Sequence, residues 1–375
     1  MSAEFVFSVP VQAFRESLAF VSLAFVSQAT RKFKKGKRVA LFEHVLLEAD
    51  GDAIRLSAGN SELFIERTII TPVERGCRFF LSMPMLTFLE GFDDGQVRVE
   101  AVDNKIVLSQ GTNSATFNDC GPFDTFTPEG DLEPLMGIGV PTVKTVAERL
   151  CMAINDENNR FNTGCILLDI RQHEVNFVAT CCRRMHVHRH APPKMDVDLG
   201  DGKKEILLSP KALKAAASMP VGFVQVSANQ NHVVFSAVHC RIVCEINQGR
   251  FPRWENVMDP SRTESVCVCE AGPLLEKLRS AALFLDDAIF PGVDLTLSDG
   301  RLLMEGRGKD GIVSVSLPVD YVGKERKTQI DRKYLLSMFA AFPPDAVFGL
   351  HIVNNNPMGF THGDFSAVVM HRSTE

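Results

Sequence analysis

The chain is 375 residues long, 45% hydrophobic, and carries a formal net charge of −6. That length and apolar content suit two or three domains with real cores, and the acidic balance excludes a uniformly basic nucleic-acid coat. No run is long enough to span a bilayer: Val21–Val26 is short and interrupted by Ser22, and no basic-then-apolar leader precedes it. Ten cysteines without a leader therefore point to a reducing, cytoplasmic setting with free thiols.

Apolar spacing predicts a first helix over Val11–Gln28, followed by strand-like runs at Val45–Leu47, Ile54–Ser57 and Phe64–Ile70, with a turn at Asp50-Gly51. A second helix, Met83–Gly91, precedes Gln96–Ala101, Lys105–Gln110 and Ala115–Phe117. A third, Thr142–Ile154, leads into Ile166–Ile170, Val175–Ala179 and Met185–His190. A fourth, Ser209–Met219, is followed by Gly222–Ser227, His232–Ser236 and Ile242–Ile246. The fifth, Gly272–Leu285, precedes Val293–Leu297, Arg301–Glu305 and Val313–Leu317; the sixth, Asp331–Phe342, precedes Val347–Ile352 and Phe365–His371.

Helix plus short antiparallel meander thus recurs six times, at intervals of roughly 60 residues. One helix on one meander cannot bury enough surface alone, so two units should make a domain. The expectation is an α+β fold of three similar domains, 1–130, 141–260 and 261–375, with joins at Gly130–Pro141 and Asp259–Glu264. Three unrelated α+β domains are the alternative, which the matched order of elements argues against.

The helices carry many of the cations: Lys144, Arg149, Lys211, Lys214, Lys277, Arg279, Arg332 and Lys333. Acidic residues gather at strand turns instead, among them Asp50, Asp93, Asp201 and Asp299. If helices line one surface, a basic face that attracts phosphate without reading sequence is hidden under the net charge. The second helix breaks this pattern, offering Glu90 and no cation. Just past the first helix, Arg31, Lys32, Lys34, Lys35, Lys37 and Arg38 form a dense cluster, read either as a loop near phosphate or as a solvated linker.

Val45-Leu46-Leu47-Glu48-Ala49-Asp50-Gly51, Arg160 with Thr163-Gly164-Cys165-Ile166-Leu167-Leu168-Asp169, Val178-Ala179-Thr180, and Gly249-Arg250-Phe251-Pro252-Arg253-Trp254 stand in order along the chain. With Gly292–Leu295 and the terminal Ala367–Met370, they resemble the motifs of the bacterial DNA polymerase III beta sliding clamps over essentially the whole chain. The resemblance implies a non-catalytic, cofactor-free processivity subunit: a head-to-tail homodimeric ring of clamp domains, helices inside and sheets outside. The implied partners are duplex DNA, held without sequence preference, and polymerase and clamp-loader subunits bound through a short peptide. A clamp-fold interaction scaffold, or a specialised second clamp with an altered groove, is the alternative.

By the same resemblance the DNA contacts are Arg31, Lys32, Lys34, Lys35, Arg160, Phe161, Asn162 and Lys211. The peptide groove is implied at Thr163, Thr180, Arg184, Met185, Pro252, Val257, Val368, Val369 and Met370, and the dimer interface at Phe117, Phe284 and Leu285, each also readable as core. The chain departs from the family pattern at Cys181-Cys182-Arg183, where the family has Asp-Gly-His, at Asn256, and at its end, Met370–Glu375. His186, His188 and His190 alternate and so should share one side of a strand; with Cys181 and Cys182 they match no usual zinc spacing, and no metal site is expected. Cys267 and Cys269 read as small apolar residues, Asp286-Asp287 diverge too far for shared acid–base work, and no phosphate-binding or nucleophile-turn motif occurs.

Overall fold

The computed structural model describes residues 4–25, 44–60, 62–82, 84–103, 105–118, 130–154, 162–257, 266–283, 285, 292–339, 342–351 and 357–371. Among these residues one pattern, strand–helix–three strands, occurs six times. The first repeat is β1 (Glu4–Pro10), α1 (Val11–Ser22), β2 (His44–Asp50), β3 (Ala53–Gly59) and β4 (Leu63–Ile70). The second is β5 (Cys77–Ser82), α2 (Pro84–Glu90), β6 (Gln96–Val102), β7 (Lys105–Gln110) and β8 (Asn113–Asn118). The third is β9 (Glu133–Gly139), α3 (Val140–Leu150), β10 (Ile166–Ile170), β11 (Val175–Thr180) and β12 (Arg184–His190). The fourth is β13 (Lys204–Leu208), α4 (Pro210–Ala217), β14 (Phe223–Ala228), β15 (His232–Ala237) and β16 (Cys240–Glu245). The fifth is β17 (Val266–Glu270), α5 (Ala271–Ala281), β18 (Gly292–Ser298), β19 (Arg301–Gly308) and β20 (Gly311–Pro318). The sixth is β21 (Arg326–Asp331), α6 (Arg332–Phe339), β22 (Val347–His351), β23 (Met358–His362) and β24 (Phe365–Val369).

The predicted helices and meander strands are all present, while β23 and the strand that opens each repeat were not anticipated. Each opening strand abuts its helix with almost no turn between them, as β1 runs straight into α1 at Pro10. Its partner is far away in sequence: β1 pairs with β6 and β5 with β2, β9 with β14 and β13 with β10, β17 with β22 and β21 with β18. Repeats therefore exchange their opening strands in consecutive pairs: one with two, three with four, five with six.

The chain forms two compact units, residues 1–144, 193–198 and 211–246, and residues 145–192, 199–210 and 247–375. The dividing line runs through the expected middle domain, 141–260. In the first unit an eight-stranded antiparallel sheet has the order β5-β2-β3-β4-β16-β15-β14-β9, and a four-stranded sheet the order β1-β6-β7-β8. The second unit repeats the plan with β13-β10-β11-β12-β24-β23-β22-β17 and β20-β19-β18-β21. Burial alternates along strands such as β18 and β19, as expected of sheets with one face on the core.

Phe7, Phe14 and Leu18 are fully buried in the first unit, and Phe339, Phe360 and Phe365 in the second. The Phe339 ring stacks on Phe348 at 5.1 Å and meets Phe360 edge-on at 5.2 Å, the two geometries aromatic quadrupoles favour. Helix ends left without intrahelical partners are closed by arginines. Arg15 of α1 donates to the carbonyls of Leu89, in the last turn of α2, and Phe92, just past it, at 2.8 and 3.1 Å. Arg332 of α6 does the same for Ala282 and Leu285 just past α5, at 3.1 and 3.3 Å. No helix among the described residues is long and apolar enough to cross a membrane.

The end of α5 lies directly against β19 at Gly306, where a Cβ would fall 1.8 Å from the Ala281 carbonyl oxygen. Two backbones meet there, so neither side can yield by a rotamer change. Gly306→Ala is expected to cost more than about 2 kcal/mol, read as a fall in the urea midpoint at unchanged slope.

Candidate partner groove and nucleic-acid face

Two-residue periodicity sorts the predicted groove residues by face. Register places Met185 opposite Thr180 on one side and Val368 on the other, with Gly359 next to Val368, so a row of small and apolar residues crosses β11, β12, β24 and β23. The Met370 N–H donates to the Arg183 carbonyl at 2.8 Å, carrying the row one step past β24. Thr180, Met185 and Val368 are nearly covered, whereas Met370 and Val257 are each 41% exposed. The structure thus brings a buried floor together with exposed apolar side chains beside it. Arg184 and Val369 pair with each other on the opposite face of those strands. Val369 belongs to the core there, and the Arg184 guanidinium reaches the Ser337 hydroxyl and the Met152 carbonyl and lies over the Tyr334 ring. Among the predicted wall residues, these two stand apart from the row.

All residues of β10, β11 and β24 are buried, so both faces of these strands are covered. On β10–β12 the cover is the segment 251–257, whose Phe251 and Trp254 form a second core with Cys165, Leu167, Val178, Met185, Val187 and Leu207. An ionic network fastens this cover. Arg171 bonds Asp169 at 2.8 Å and Glu255 at 3.3 Å, while Lys203 bonds Glu205 at 2.6 Å and Glu255 at 3.2 Å. The hydrogen bond to Asp169, itself fully buried, pushes the Arg171 pKa up, and the guanidinium lies 5.9 Å from the Trp254 ring centre. Burial alone would raise Glu255, but its own N–H, Lys203 and Arg171 outweigh it and hold the carboxyl below its usual range. At the other end of the cover, Asn162 accepts the Cys165 thiol at 3.1 Å and donates to the Gln248 carbonyl at 3.1 Å. Thr163, next to it, is 1% exposed. Arg171, Asp169, Glu255, Phe251 and Trp254 were missing from the predicted site; the signal available was the chain's single tryptophan.

On the helix-facing side of β12, Arg184, His186, His188 and His190 form the row that alternation predicted. The His186 Nδ1–H donates to the Arg149 carbonyl at 2.7 Å, its ring meets Phe365 edge-on at 5.4 Å, and its Nε2 has no partner among the described residues. Arg149 donates to His188 Nδ1 at 3.4 Å and lies over Phe365. Burial pushes both His186 and His188 down to about 4, with Arg184 and Arg149 adding to the respective effects. No group of three or more potential metal ligands comes together among the described residues.

Of the predicted DNA contacts, Arg31, Lys32, Lys34, Lys35, Arg160 and Phe161 lie outside the described residues. Lys211 is exposed on α4 and pairs with Glu62 at 3.3 Å, a surface ion pair worth at most about 1 kcal/mol and easily exchanged for phosphate. The Asn162 side chain is engaged by the Gln248 carbonyl and the Cys165 thiol. On the helices, Lys144, Lys214, Arg279 and Lys333 are exposed, whereas Arg332 and Arg149 are largely engaged within the fold. Of the predicted dimer residues, Phe117 is half-buried on β8 with its ring 6.0 Å from Phe88, Leu285 is buried in the core, and Phe284 lies outside the described residues.

The six repeats and their exchanged strands define a DNA-clamp fold. Neither a protein-family model nor a curated sequence relative matches the chain. Solved structures do. A DNA polymerase sliding clamp from Pseudomonas aeruginosa superposes with a TM-score of 0.87 at 16% identity, covering 99% of this chain and 100% of that one. A putative DNA polymerase III beta subunit from Eubacterium rectale gives 0.85 at 17% identity over 99% of both chains. The DNA polymerase III beta subunit of Thermotoga maritima gives 0.85 at 14% identity over 99% and 100%. The chain therefore has the fold of the DNA polymerase III beta sliding clamps throughout its length.

Both histidines have folded pKa values below their unfolded value of about 6.5. The unfolded chain therefore binds more protons between about pH 4 and 6.5, and stability is complete above that window and lost as pH falls through it. Relative to neutral pH, roughly 2 kcal/mol per ring should be gone at about pH 5. Urea midpoints measured across the window should fall steeply in the wild type and less steeply in His186→Gln; equal slopes would refute the assignment.

Proposed function

We propose that the chain is a non-catalytic, cytoplasmic sliding clamp: two copies close head to tail around duplex DNA, with helices toward the duplex and sheets outside, and tether a polymerase topologically. The division into domains 1–130, 141–260 and 261–375 belongs to this reading. The observation that carries it is a rule in the sheet pairing. The last strand of repeat one, β4, pairs with that of repeat four, β16, and the last strand of repeat three, β12, pairs with that of repeat six, β24. Each repeat thus meets the one three places on. Repeats two and five are left over, and β8 and β20 end their four-stranded sheets. A second copy satisfies the same rule by laying its β8 along β20, and vice versa, so that both exposed edges vanish. Phe117 sits on that edge strand, which supports its place at the interface.

A closed ring needs no tight hold on DNA. Exposed lysines such as Lys144, Lys211, Lys214 and Lys333, with the 31–38 cluster and Arg160, supply screened attraction to phosphate that permits sliding. The row Thr180–Met185–Val368, with Thr163, Pro252, Val257 and Met370 around it, suits the apolar side chains of a short peptide from polymerase or clamp-loader subunits.

Light scattering at micromolar concentration is expected to give the mass of two chains, and Ile312→Asp on β20 to lower dimer affinity at least tenfold. Wild-type protein loaded on nicked circular DNA by its loader should stay bound until the circle is linearised. A stable monomer, or release that ignores linearisation, would remove the clamp reading. Trp254 gives the groove an internal reporter: a titrated polymerase-derived peptide should change its fluorescence, and Met185→Asp should weaken that binding at least tenfold, about 1.4 kcal/mol.

A further inference from the structure

The turn between β11 and β12 carries two adjacent cysteines, both unbridged, Cys181 half-buried and Cys182 exposed. Cys182 has φ +65°, a left-handed conformation that costs any residue but glycine. The turn is bonded into the groove row on both sides. The Cys182 N–H donates to the Thr180 hydroxyl oxygen at 3.0 Å, and the Thr180 hydroxyl to the Arg184 carbonyl at 2.7 Å. The Arg183 carbonyl in turn holds the Met370 N–H. A rearrangement of the turn backbone would therefore act on Thr180 and Met370 directly.

Adjacent residues have Cα atoms about 3.8 Å apart, short of the roughly 4.4–6.8 Å that a disulfide spans, so direct S–S closure is disfavoured. Burial, with Cys181 beside it, pushes the Cys182 thiol up, which keeps it protonated and slow to oxidise. Two neighbouring reduced thiols are instead suited to grip a third atom that accepts two sulfurs.

We propose that Cys181 and Cys182 form a two-sulfur site for soft, thiophilic ligands of the trivalent arsenical class, and that its occupation closes the adjoining groove to peptide. With an aryl arsenoxide, two As–S bonds form, the arsenic–oxygen bond breaks, and the oxygen leaves with both thiol protons as water; no oxidation state changes. The control of peptide binding rests on the groove reading above, whereas the site itself does not.

The test is titration of the intact protein with phenylarsine oxide, followed by intact mass and peptide mapping. One adduct per chain is expected, mapped to Cys181–Cys182. It should be lost in Cys181→Ser and in Cys182→Gly, the latter chosen because glycine suits the turn. No adduct on the wild type, or one mapped to Cys267–Cys269 instead, would overturn the site. In parallel, peptide affinity followed through Trp254 should fall at least tenfold on treatment of the wild type and be unchanged on treatment of either variant. Undiminished affinity in the adduct would overturn the control of the groove. If untreated protein takes no peptide, the groove reading fails, and the mapped adduct alone decides the site.

Discussion

Every repeat of this chain ends on a strand with one side to spare, and an unpaired strand edge is a row of main-chain donors and acceptors that must be satisfied. The two eight-stranded sheets arise from that requirement. β4 joins β16 and β12 joins β24, so four exposed edges become two continuous ladders. The opening strands obey the same constraint at shorter range, each crossing to the neighbouring repeat's meander. A pairing rule that holds twice within the chain leaves two strands over, β8 and β20, and the proposed assembly with a second copy rests on that remainder.

The covered outer face of β10–β12 follows from a second consequence of sheet geometry. A sheet face on the protein exterior would ordinarily be polar, yet Leu167, Val178, Met185 and Val187 face away from the helices. Phe251 and Trp254 cover most of that surface, and the Arg171–Asp169–Glu255–Lys203 network fixes the cover at its edge. Where the cover stops, Met370 and Val257 are exposed beside the buried row.

Helical spacing and two-residue alternation made the six helices and most strands legible, because both are local properties of the chain. The leading strands escaped: β21, Arg-Lys-Thr-Gln-Ile-Asp, has little apolar signal, and β13 is five residues long, each stabilised by a partner that no local window contains. The strand faces of the expected groove residues were partly legible. Thr180, Met185 and Val368 fall on one face as needed, but Arg184 and Val369, adjacent to them in sequence, turn to the other, since neighbours on a strand point oppositely. Asp169 and Arg171 read as a strand end and a turn; only register and the return of residues 251–257 show that they lock the cover. The histidine row was anticipated as a shared face, whereas its burial against Arg149 and Phe365 was not.

By itself, the sequence determined the repeat, the number of units, the alternation of each meander and the order of motifs that resemble the beta clamps. Those are written in neighbouring residues, where periodicity and turn chemistry act. Only the tertiary structure decided which strand lies beside which, which edges are left over, and which face of β10–β12 is covered. Those outcomes depend on hydrogen-bond partners tens to hundreds of residues apart, and a main-chain donor carries no mark in the sequence of the acceptor it will meet.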